Sequence, residues 1–230
     1  MAYNVHENDD DAQIATRVRR LRRLDCCAVS DAVDRLKLAG VITAVPQRSG
    51  QGRIAGRVIT VKLGVGEPPA GKPRHLGTTA IECAGTNDVI VVEQRTGLDA
   101  GCWGGLLSLG AKLRGVAGVI ADGPVRDIDE ARAYEFPIFS RSLTARTARG
   151  RVVEQGTNVP VTVWDVIVQP GHYVVADRSA VIFIDEVNID AVLAAAEAIS
   201  AREAAMAVAL LSGKAISNVM GGDYEFMLQG

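Results

Sequence analysis

The stretch Gly115-Val-Ala-Gly-Val-Ile-Ala-Asp-Gly-Pro-Val-Arg-Asp-Ile-Asp-Glu130 decides how this chain folds. It reads as a buried strand, a Gly-Pro turn and an Arg126-Asp127 pair opening a helix. A fixed cation and a carboxylate then stand together at the carboxyl end of a strand, where open α/β sheets bind ligands. Outward from it, further β-branched runs read as strands: Ile54–Leu63, Asp88–Glu93, Pro137–Ser140, Val159–Trp164, Val166–Val168, Tyr173–Ala176 and Ala180–Ile184. Helical spacing predicts helices over Ala12–Leu24, Ala32–Leu38 (capped by Ser30-Asp31), Thr78–Ala84, Gly104–Leu113, Asp127–Tyr134 and Ile189–Leu211. Asp127 followed by Glu130 has the spacing of a capping box.

Composition sets the outer bounds. With 230 residues, 48% hydrophobic and 4% aromatic, the chain suits one domain with an aliphatic core. Residues 1–11 are acidic and read as a disordered tail, leaving 12–230 as a single α/β domain. The net charge of −2 argues against nucleic acid and anionic membrane as partners, and Arg17, Arg19, Arg20, Arg22 and Arg23 read as a solvated or subunit-facing surface. Nothing resembles a signal segment or a membrane span, so a cytoplasmic location is expected. Cys26, Cys27, Cys83 and Cys102 have no CxxC spacing and read as buried thiols. The Gly64–Lys72 loop has a glycine and a lysine like those of a phosphate loop, but Pro73 follows the lysine and breaks the GxxxxGK(S/T) order.

Few residues are equipped for chemistry. Asp127 could hold Mg²⁺ or Mn²⁺, which take one or two carboxylates and complete their shells with water and substrate oxygens. Arg126 would grip a substrate carboxylate or carbonyl in a planar fork. Gly104-Gly105 leads into a helix whose free N–H groups could seat a carboxylate. Cys102 has no histidine to activate it, Asp122 reads as a turn former, His75 as a pocket or capping residue, and Glu203 as part of a solvated face.

The run from Trp103-Gly-Gly-Leu-Leu to Asp-Gly-Pro-Val-Arg-Asp resembles the RraA-like family. That family holds regulators of ribonuclease E activity and class II 4-hydroxy-4-methyl-2-oxoglutarate aldolases, some under an old demethylmenaquinone methyltransferase label. Weaker matches extend the resemblance from Ser30-Asp31-Ala32 through Gln169-Pro-Gly to Ala201-Arg-Glu-Ala-Ala. It implies a β/β/α swivelling-domain sandwich with flanking helices, assembled as trimers or dimers of trimers with sites between subunits. It further implies Asp127 as metal anchor and Arg126 as substrate contact, with the amides of Gly104, Gly105, Leu106 and Leu107 holding pyruvate's carboxylate. Glu203 of an adjacent copy would order metal-bound water.

Two departures stand out. The aldolases have an acid twenty-one positions before the arginine, where this chain has Gly105, and Pro170-Gly171-His172 replaces a Pro-Gly-Asp. Without that acid, water, His75 or Glu203 would have to deliver the proton. The expected function is a divalent-metal-dependent carbon–carbon lyase on a small 2-oxo acid. It would cleave a 4-hydroxy-2-oxo dicarboxylic acid, decarboxylate oxaloacetate, or both, giving pyruvate through a metal-bound enolate. The alternative, favoured by Gly105, is a non-catalytic protein that modulates a ribonuclease or another enzyme. No glycine-rich strand-to-helix turn supports methyl transfer.

Overall fold

The computed structural model describes residues 5–67, 70 and 74–221. In chain order its elements are α1 (Val5–Leu21), α2 (Cys26–Arg35), β1 (Val41–Thr43), β2 (Gln47–Ser49), β3 (Ile54–Gly64), α3 (Thr78–Cys83) and β4 (Asp88–Gln94). There follow α4 (Gly105–Leu113), β5 (Gly118–Val125), α5 (Ile128–Ala133), β6 (Ile138–Leu143) and β7 (Val153–Thr157). The chain continues with β8 (Val161–Val163), β9 (Val166–Val168), β10 (Tyr173–Ala176), β11 (Ala180–Ile184), α6 (Ile189–Leu211) and α7 (Ile216–Val219).

One mixed sheet, ordered β1-β11-β10-β3-β4-β5-β6-β2, organises them, with β7 also paired to β3. The four central strands β3 to β6 are parallel, and the flanking pairs are antiparallel. Both faces of the central strands are covered, which is why apolar residues predominate in β3, β4 and the first half of β5. Ile90, Val92, Val119 and Ala121 point to the layer of α3, α4 and α5. Val89, Val91 and Ile120 point the other way, to the β8–β9 hairpin. A third cluster joins α1, α2 and α6 over β10 and β11. The result is the expected β/β/α sandwich.

Several elements differ from their sequence reading. Helix α1 begins at Val5, so the acidic residues up to Asp11 continue the helix; residues 1–4 lie outside the described residues, as do parts of the Gly64–Lys72 loop. Helix α2 starts six residues early because Asp25, not Ser30, caps it, accepting the Ala28 N–H at 2.8 Å. Arg17 and Arg20 are not a free surface: both form two-pronged bonds to α6, with Asp190 (3.1 and 2.5 Å) and Glu197 (2.8 Å each). Cys27 and Cys83 are exposed, whereas Cys26 and Cys102 are buried, and none of the four is in a disulfide. Asp122-Gly-Pro is no turn. It continues β5, whose register against β6 slips between Ala121 and Pro124, the irregularity that admits a proline within a sheet.

Candidate active site at the carboxyl end of strand β5

Where β5 ends, the segment before α4 runs alongside it. The Cys102 N–H donates to the Pro124 carbonyl at 2.8 Å, Trp103 bridges to Val125, and the Arg126 N–H donates to the Trp103 carbonyl at 3.0 Å. Trp103 is buried, and its indole N–H donates to Ser108 Oγ, which donates to the Gly104 carbonyl. These bonds fix the start of α4 against the start of α5, although twenty-two residues separate Gly105 from Asp127.

The capping-box spacing predicts that Asp127 caps α5, and it does not. It takes a left-handed conformation (φ 54°, ψ 39°), and its side chain makes no capping bond. The carboxylate turns instead to α4, where Oδ2 accepts the Gly105 N–H at 3.2 Å. Arg126 Nε lies 3.1 Å from both oxygens of the same carboxylate. The Arg126 side chain runs over two glycines: a Cβ at Gly101 would stand 3.1 Å from its Cγ and Cδ, and one at Gly104 3.3 Å from its Cγ. Both charged groups stay accessible, with 37% of the Arg126 and 31% of the Asp127 side chain exposed.

The remaining groups sort clearly. Leu106 is exposed on the first turn of α4, while Leu107 is buried. Their backbone N–H groups, at the second and third positions of the helix, have no intrahelical carbonyl to meet. Arg126, Asp127, Gly104, Gly105, Leu106 and Leu107 are therefore brought together, and Glu203 is not. It stands on α6 facing α2, where burial and then the charges of Asp25 and Asp31 push its carboxyl upward. His75 is exposed, its ring turned to the Leu76 carbonyl. Cys102 is fully buried, and burial raises its thiol to about 12, which removes it as a nucleophile.

Sequence reading misses two features. The first is Glu130, whose spacing suggests the partner in a capping box: its carboxylate crosses to α4, so that a Cβ at Gly105 would lie 1.7 Å from Oε2. The lone hint is the glycine itself. The second is Asp122, which is fully buried rather than part of a turn. It binds Arg141, its Oδ2 accepts the Trp164 N–H at 2.8 Å, and Arg95 Nε lies 3.7 Å away. Arg95 and Arg141 line a cleft of about 530 Å³ at the strand ends, with Gln94, Gly123, Pro124 and Ser142.

A mixed sheet with flanking helices, carrying a charged pair and open helix-start amides at its strand ends, defines the class as an α/β protein. Residues 26–183 match the family described as RraA-like, Aldolase/RraA, and the chain belongs to that family. A relative named 4-hydroxy-4-methyl-2-oxoglutarate aldolase, from Thermus thermophilus, is 33% identical over 138 residues, covering 60% of this chain and 79% of its own. A solved, uncharacterised protein from Pseudomonas syringae pv. tomato superposes with a TM-score of 0.79 at 24% identity, over 90% of this chain and 98% of its own. Streptomyces coelicolor RraAS2, described as an unusual member of the RNase ES inhibitor RraA family, superposes with a TM-score of 0.69 at 23% identity, over 82% and 93%. These two structural likenesses establish the fold. Among the described residues no helix is long and apolar enough to cross a membrane.

Proposed function

We propose that this protein is a carbon–carbon lyase that acts on a small 2-oxo acid and releases pyruvate. The observation that carries the reading is the meeting of Arg126, Asp127 and the open amides of α4 at one strand end. The aldolase name of a 33% identical relative supports the reaction class.

The donor set suits a divalent ion of the Mg²⁺ or Mn²⁺ kind. Asp127 offers hard oxygens that remain partly open to solvent. Such an ion would rest on Asp127 and fill its shell with water and substrate oxygens. When bound, it supplies Lewis acidity to the 2-oxo oxygen.

The chain's own groups do the rest. The N–H groups of Leu106 and Leu107 at the positive end of α4 receive the carboxylate beside the oxo group. Arg126 faces the negative charge that grows on the 2-oxo oxygen as the carbon–carbon bond breaks, held in place beforehand by Asp127 and by its path over Gly101 and Gly104. Trimers or dimers of trimers would bring Glu203 of an adjacent copy to the site. What supports a second copy at this surface is the end of α6, which has no buried residue beyond Ile199 and exposes Val208 and Leu211.

The test is a coupled pyruvate-release assay offering oxaloacetate and 4-hydroxy-4-methyl-2-oxoglutarate with Mg²⁺ or Mn²⁺, then with chelator. Chelator-sensitive release that disappears in Asp127→Ala is expected; release unaffected by that change would remove Asp127 from the mechanism. Gly105 favours a second reading, a binding protein that modulates a ribonuclease or another enzyme. No release on either substrate, together with a stoichiometric complex with a ribonuclease, would turn the assignment that way.

A further inference from the structure

At position 105 the carboxylate of another residue, the exposed Glu130, occupies the space that a side chain would take. A Cβ there would stand 1.7 Å from Glu130 Oε2 and 2.7 Å from its Cδ, so any larger residue must displace Glu130. The same point lies 3.2 Å from Asp127 Cβ, so two carboxylate residues flank Gly105. They are differently engaged. Asp127 is bonded to Arg126 and to the Gly105 N–H, whereas Glu130 has no ion pair among the described residues, the neighbouring Arg132 pairing with Asp129. A carboxylate without a basic partner, set at the first turn of α4 beside the open amides, is placed to accept and return a proton.

Resting on the lyase reading, we propose that Glu130 is the catalytic acid–base of this site and does the work of a side chain absent at Gly105. In cleavage of a 4-hydroxy-2-oxo acid, Glu130 takes the hydroxyl proton. The electron pair of the C3–C4 bond passes to the 2-oxo fragment, and C4 departs as a carbonyl. Glu130 then returns the proton to C3, completing the methyl group of pyruvate, and the carboxylate is restored with no outside oxidant or reductant. When the departing group is carbon dioxide, the proton delivered to C3 comes from water through the same carboxyl.

The experiment follows deuterium entering the methyl group of pyruvate in D₂O by NMR, with Mn²⁺ present. The proteins are the wild type, E130Q, E130A, D127A, G105D and the G105D/E130A double variant, each also titrated with Mn²⁺ by calorimetry and melted. E130Q is expected to lose roughly 100-fold or more in exchange, with an unchanged melting temperature and Mn²⁺ affinity within about threefold of wild type. G105D/E130A, which returns a carboxylate to the vacated space, is expected to exchange at least about tenfold faster than E130A. Wild-type exchange in E130Q would overturn the proposal, as would a loss of Mn²⁺ affinity matching D127A, which would make Glu130 a metal ligand. Tighter pyruvate binding by E130A with exchange intact would overturn it too, by making Glu130 a plug. A wild type that exchanges nothing would instead sink the lyase reading and the proposal with it.

Discussion

The Oδ2 atom of Asp127 accepts the Gly105 N–H at 3.2 Å, fastening the carboxylate at the start of one helix to the first turn of another. The site is thus a junction of two helix starts, and its geometry depends on how closely they approach.

Gly104 tests that dependence. Its backbone is extended (φ −152°, ψ −174°), which alanine adopts freely, yet an added Cβ would stand 2.9 Å from Asp127 Oδ2. Gly104→Ala should lower kcat/KM for pyruvate release by roughly tenfold or more with a change in stability of about 0.5 kcal/mol or less. Assay and thermal melt together check both halves.

Asp122→Asn should destabilise the whole domain. The substitution keeps the shape but removes the charge that holds Arg141 and Arg95, and its amide end cannot accept the bonds both carboxylate oxygens now take. Because both arginines keep access to water, the expected loss is about 2–3 kcal/mol. That corresponds to a fall of roughly 5–10 °C in Tm. A melt that does not move would show the cluster to be neutral.

Iodoacetamide at pH 8 should label Cys27 and Cys83 in the native protein and all four cysteines in denaturant. Burial holds Cys102 at about 12, and burial followed by the charge of Asp177 pushes Cys26 upward as well. Peptide mass mapping reads the outcome, and rapid native labelling of Cys102 would contradict the burial described.

Acid should loosen the attachment of α6. The hydrogen bonds from Arg17 and Arg20 hold Asp190 and Glu197 below their ordinary values. Their contribution is therefore fully present above the usual carboxylate range and is lost as pH falls through the lowered folded values. Both acids are well exposed, so each pair contributes only about 0.3–1 kcal/mol. Replacing Arg17 and Arg20 with alanine should flatten the acid limb of Tm against pH; an identical limb would show that other groups set it.

The central strands were legible because burial on both faces leaves β-branched runs such as Val58-Ile-Thr-Val61 in β3 and Val89-Ile-Val-Val92 in β4. Strands β1, β2 and β7 were not. Gln47-Arg-Ser49 and Val153-Glu-Gln-Gly-Thr157 carry no apolar run, and pairing with distant β6 and β3 makes them strands. The Arg126-Asp127 pair was visible as a local motif. Its link to Gly105, and the crossing of Glu130 to the same glycine, join residues more than twenty positions apart, which periodicity cannot report. Local rules pointed the wrong way there, making a helix cap of two carboxylates that leave their own helix.

Asp127 is one of few non-glycine residues with positive φ, a conformation that costs a side-chain-bearing residue of order 1 kcal/mol. Glycine would relieve that strain. A library selected for heat resistance alone would therefore favour Asp127→Gly and discard the carboxylate, whereas selection on turnover would keep it. A parting of the two selections at this single codon would mark Asp127 as a residue held by use rather than by folding.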